Sequence, residues 1–97
     1  MLIKLTEVCP RGNVTSEQEY ILREVFINPK HVVMVREEAR IRQLNEQNLI
    51  APGLNAAHRF SKLTINRGHT GTEIVVIGAP DIVERQLHSN AQQLLQG

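Results

Sequence analysis

A chain of 97 residues, 41% of them hydrophobic, has the length of one small domain. Leu, Ile, Val and Phe supply 30 of those residues, too many for an intrinsically disordered chain. Eleven basic against ten acidic side chains leave a formal charge of +1, so no strong field recommends a polyanion as partner.

Met1 to Glu7 carry neither a basic leader nor a long apolar run, and the longest apolar stretch, Ile74 to Ile77, is far too short to span a bilayer. The expectation is a cytoplasmic protein that makes no use of a membrane. Cys9 is the only cysteine, which excludes an intrachain disulfide and agrees with a reducing compartment.

Residues 2–8 read as a strand, with Ile3 and Leu5 on one face and Lys4 and Thr6 on the other. Residues 9–19 have the Pro, Gly, Asn and polar content of a loop. A second strand runs from Tyr20 to Ile27; both of its faces carry apolar residues, which predicts a central position in the sheet. Asn28-Pro29-Lys30 is a turn, because proline presets φ for the corner, and His31 to Val35 follows as a third strand rich in β-branched residues.

From Arg36 to Arg59 the pattern weakens. Arg36 to Leu44 fits an extended arm or mobile loop slightly better than a short helix with Ile41 and Leu44 on one face, and Pro52-Gly53 is a break. Order returns at Phe60 with a strand carrying Leu63 and Ile65 on one face, a hairpin loop over Asn66 to Gly71, and a return strand from Thr72 to Ile77. Pro80 and Asp81 open a helix that runs to about Gln96. Asp81 followed by Glu84 is a cap candidate, and Ile82, Val83, Leu87, Ala91, Leu94 and Leu95 form one apolar stripe.

Few residues carry chemistry. His31, His58, His69 and His88 are widely separated, and none stands at metal-ligand spacing from another, from Cys9 or from Asp81; no metal or other cofactor is implied. Glu37 and Glu38 adjoin, so on a strand they point to opposite faces and form no acid–base pair. Gly68-x-x-Gly71 lacks the lysine of a phosphate loop and is followed by strand. No constellation supports an enzyme. Arginine outnumbers lysine 8 to 3, and Arg36, Arg40 and Arg42 cluster as phosphate forks would, but three glutamates share the segment and only three aromatics are present for base stacking.

Ile3-Lys4-Leu5-Thr6, then Val25-Phe26-Ile27-Asn28-Pro29 and His31-Val32-Val33, resemble the opening of the small FlbD-type proteins, a motility-associated family with look-alikes in bacteriophages. Leu63 to Gly68, Glu73 to Val76 and Pro80 to Val83 are similar to that family's later strand, turn, strand and closing helix, so that the resemblance covers roughly half of the chain. It implies a small bacterial or phage protein with a β-meander packed on a helix, and no catalysis. Residues 9–23 and 37–58 depart from the pattern as insertions, and the Asn66 to Gly71 loop replaces a tight Asn-Gly turn.

Together these readings predict one α+β domain over residues 1–97, a small curved antiparallel sheet of four or five strands in a meander with one C-terminal helix, and insertions at 9–19 and 37–58. A single helix covers only one face of a sheet that is apolar on both, so a second copy of the chain is the simplest cover. The expected function is a non-catalytic interaction or adaptor module that self-associates, motility-accessory or mobile-element related through the resemblance. The competing class is a nucleic-acid-binding regulator using the Arg36–Arg42 segment. Candidate partner-binding residues are Arg36, Arg40, Ile41, Arg42, Leu44, Leu49, Ile50 and Leu54, and candidate oligomer-surface residues are Val33, Val35, Leu94 and Leu95. On this reading the 37–58 excursion is a binding arm apart from the core, and replacing Gln43 to Ala57 by a short Gly-Ser bridge leaves a folded domain.

Overall fold

The structure is a computed structural model that describes residues 2–10, 20–51, 53–68 and 70–96, with only the backbone of Arg67, Thr70 and residues 89–96. In chain order the elements are β1 (Ile3–Pro10), β2 (Tyr20–Ile27), β3 (Val32–Glu37), α1 (Ala39–Glu46), β4 (Phe60–Arg67), β5 (Thr70–Ile77) and α2 (Pro80–Gln96). All strand pairings are antiparallel and the spatial order is β2-β1-β5-β4-β3. Every strand thus lies beside its sequence neighbour except at one place: β2 and β3 stand at the two opposite edges.

That break in the meander forces curvature. In a flat sheet four strand spacings separate the outer strands by about 19 Å. The link from Ile27 to Val32 is a single 3-10 turn at Pro29–His31, held by the Asn28 side chain accepting from the Lys30 amide at 3.0 Å. At about 2 Å of rise per residue in the turn and about 3.5 Å per extended residue beside it, the link spans roughly 14 Å. The sheet therefore curls, and it curls over the face on which Ile3, Leu5, Ile27, Leu63 and Val76 are buried, since Val25 of β2 and Val32 and Val35 of β3 pack on that same cluster. Val83 and Leu87 of α2 close over it. The corner from β5 to α2 turns at Gly78, whose φ of 132° suits a residue without a β-carbon, and the buried Ser61 hydroxyl donates to the Gly78 carbonyl at 2.7 Å.

A second cluster lies on the opposite face. Val8, Ile41, Ile50 and Phe60 are its buried members, and Tyr20, Leu22, Leu44, Leu54, Val75 and Ile77 pack around them. α1 presents Ile41, Leu44 and the buried Asn45 at i, i+3 and i+4, and the Asn45 amide donates to the Asn55 carbonyl at 2.9 Å, which ties the following loop down.

These observations correct several readings of the sequence. Ala39–Glu46 is a helix, not an extended arm, and the 37–58 segment supplies half of the second core, so it is not a detachable insertion. β2 is an edge strand rather than a central one: Val25 and Ile27 serve the first cluster, Tyr20 and Leu22 the second, and Ile21 and Phe26 belong to neither. The β4–β5 turn is tighter than the Asn66 to Gly71 loop, because pairing continues to Arg67 opposite Thr70 and Gly68 takes φ 81°. Asp81 is not the cap of α2 but lies in its first turn beside Arg85, and Ile82 of the stripe faces outward. Of the loop expected over 9–19, the part from residue 11 onward lies outside the described residues.

Candidate functional site

The two edge strands are where the described surface is both apolar and unpaired. Phe26 on β2 is 57% exposed, and Val33 and Met34 on β3 are 61% and 44% exposed. Alternation explains them. Ile27 and Val25 point into the first cluster, so Phe26 must point away, onto the part of the opposite face that α1 does not cover. On β3 the pairing shifts between Val32 and Met34, and this bulge turns Val33 outward before regular register resumes with Met34 opposite Thr64 and Val35 opposite Leu63. Between β3 and α2 a groove of about 390 Å³ is lined by Lys30, Val33, Met34, Val35, Glu84 and His88. The unpaired backbone groups of a free strand edge are a template for further strand pairing.

The arginine segment behaves differently. Glu37 accepts from Arg59 through Nε at 3.0 Å and a terminal nitrogen at 2.9 Å, and from Arg42 at 3.3 Å. The Arg59 hydrogen bond, with the charges of Arg59 and Arg42, outweighs desolvation and holds the Glu37 carboxyl below its ordinary range. Arg42 also meets Glu46 at 3.5 Å, Arg36 meets Glu73 at 3.2 Å and Lys62 meets Glu38 at 3.1 Å. Each cation is thereby neutralised locally, save Arg40, which is exposed and has no ion pair among the described residues.

A small polar group lies at the far end of the sheet. Glu7, buried on β1, accepts from Arg23 Nε at 3.1 Å and from the Cys9 thiol at 3.4 Å. Desolvation and the neighbouring Glu7 push the Cys9 thiol up, so it stays protonated at neutral pH and is a poor nucleophile. Among the described residues no three His, Cys, Asp or Glu side chains gather where they could hold a metal ion, and no helix is long and apolar enough to cross a membrane.

The candidates read from the sequence therefore separate. Ile41 and Ile50 are buried, and the partly buried Leu44 and Leu54 pack around them, so all four contribute to the second core. Leu49 is exposed, while Arg36 and Arg42 are committed to ion pairs. Of the oligomer-surface residues, Val33 is exposed, Val35 turns inward onto the first cluster, and the side chains of Leu94 and Leu95 lie outside the described residues. No sequence motif marks Phe26 or Met34. Their signal was present, an aromatic and a methionine alternating with core valines, but it speaks only once the strands are known to be edges. No family model, curated protein or solved structure matches this chain.

Proposed function

We propose that the chain is a non-catalytic protein-interaction module that assembles with copies of itself. The observation that carries this reading is the pair of open strand edges, β2 and β3, each bearing large apolar side chains in water: Phe26 on one, Val33 and Met34 on the other. Strand addition satisfies the unpaired backbone groups of such an edge and buries its side chains together. Binding to a polyanion is less well supported, since Glu37, Glu38, Glu46 and Glu73 already hold the neighbouring arginines and lysine. The FlbD-type resemblance agrees with a module that has no catalytic centre, and a lone free thiol fits work in the cytoplasm.

Light scattering coupled to size exclusion, from low to high micromolar protein, tests the reading. A mass that rises to a multiple of the 11.0 kDa chain supports it, and a mass of 11.0 kDa at every concentration refutes it.

A further inference from the structure

We propose that two copies of the chain join through β2, antiparallel about a two-fold axis at Phe26, so that Phe26 meets Phe26 of the second copy, Val25 meets Ile27 and Glu24 meets Asn28. This joint rests on self-assembly of the chain and specifies the surface through which it occurs.

Strand direction and symmetry restrict the choice. β2 and β3 run the same way at the two edges of this antiparallel sheet of five strands, so copies repeated head to tail would join β2 to β3 in parallel. Parallel pairs are slightly less stable per residue, and the bulge at Val33 interrupts that edge. A two-fold axis normal to the sheet instead sets β2 against itself in the antiparallel sense, with like faces on the same side. Residues directly opposite then share a face, so they stand an even number apart, and one residue of β2 faces its own copy on the axis.

The groove beside β2 shows where a second strand has room. About 540 Å³ in volume, it runs along Val25, Phe26, Ile27 and Asn28, with Ile65 and Ile74 of the β4–β5 hairpin on its far side. Because its lining takes in residues from both faces of β2, it lies along the free edge of that strand.

The side chains select the residue on the axis. An axis at Arg23 or Glu24 sets like charges together, one at Val25 sets Glu24 against Phe26, and one at Leu22 sets Arg23 against Ile21. An axis at Ile21 or Ile27 pairs only three residues within the described strand and ahead of the 3-10 turn. An axis at Phe26 pairs five, because Asn28 is still extended at φ −88° and ψ 117°. Val25 and Ile27 then meet on the face of the first cluster, to which both belong, and carry it across the joint. On the other face the exposed Phe26 rings meet, with Lys4 directly across from each on β1. Glu24, 3.7 Å from Lys4, faces Asn28, whose side-chain oxygen already accepts from the Lys30 amide at 3.0 Å. The Asn28 side-chain NH2 has no partner among the described residues and is the donor that this carboxylate can use.

Charges placed on the axis test the joint. Phe26→Glu and Phe26→Lys each set like charges against each other and are expected to weaken the dimer about tenfold, whereas an equimolar mixture of the two is expected to form mixed dimers about tenfold tighter than either alone. Phe26 is exposed, so the monomer's fold tolerates both changes, which circular dichroism checks. A second measurement is independent of charge. With Cys9→Ala as background, Phe26→Cys is expected to give a disulfide-linked dimer under mild oxidation, since Cα atoms facing across an antiparallel pair lie about 4.5–5.5 Å apart, within disulfide reach; Met34→Cys is expected to lag far behind. The unmodified chain is expected to stop at twice its 11.0 kDa. Assembly that is unchanged by either charge at position 26, without the Phe26→Cys cross-link, overturns this joint and leaves self-assembly standing. A mass of 11.0 kDa at every concentration overturns both.

Discussion

Ile50 and Leu49 are neighbours in a loop of Asn, Gln, Pro and Gly, yet the structure places them in opposite environments, Ile50 fully buried and Leu49 at 52% exposure. Ile50→Ala removes three carbons from a packed site, about 2.4 kcal/mol of transfer free energy at ~0.8 kcal/mol per carbon. The cavity left beside Phe60, Ile41 and Val8 brings the expected loss to about 3–4 kcal/mol. For a domain of this size that loss is a fall in melting temperature of roughly 12–30 °C, a large part of a total stability on the order of 5–15 kcal/mol. Leu49→Ala, by contrast, should cost less than about 0.5 kcal/mol. Urea titration followed by circular dichroism measures both. Equal and small effects would refute the assignment of the 47–58 loop to the core. The same reasoning reverses the expectation for the Gly-Ser bridge across Gln43 to Ala57: it removes Leu44, Asn45, Ile50 and Leu54 and uncovers Phe60 and Val8, so cooperative melting should be lost.

Other consequences are equally direct. Gly78→Ala puts a β-carbon 3.0 Å from a Val83 methyl at a φ of 132°, and should destabilise by more than about 1 kcal/mol in the same titration. Leu87→Ala opens the junction of α2 with the sheet and should cost about 2–4 kcal/mol, whereas Ile82→Ala on the outward side should be nearly silent. Glu37 has a folded-state pKa held below its unfolded value, so its contribution to stability is complete above the ordinary carboxylate range and lost as pH falls through the depressed value. Glu37→Gln should therefore destabilise the protein at neutral pH, with the difference from the unmodified chain closing in acid; a difference that stays constant with pH would refute the role given to Arg59.

Much of this fold was legible in the sequence because its strands alternate clearly. Ile3 and Leu5, Leu63 and Ile65, and Val83 with Leu87 announce their elements by period alone. What period cannot supply is lateral order. Tyr20 to Ile27 is apolar on both sides whether it is flanked by two strands or by one strand and a helix, and only the pairing of β1 with β5 sends β2 to an edge. α1 was obscured for another reason: it has eight residues, no side-chain cap at Glu38, and a buried Asn45 where the apolar stripe should continue. The proposed interaction surface is hidden by the same lateral ambiguity, since the exposure of Phe26 and Met34 follows only once their strands are known to be edges.

Hydrogen exchange at several protein concentrations probes the central claim, that a free strand edge is the assembly surface. Amides of residues 24–27 that point away from β1 should exchange quickly at high dilution and become protected as concentration rises, while those of Phe60–Arg67, already paired on both sides, should not change. Edge amides whose exchange is independent of concentration, in a protein that nevertheless assembles, would contradict the account.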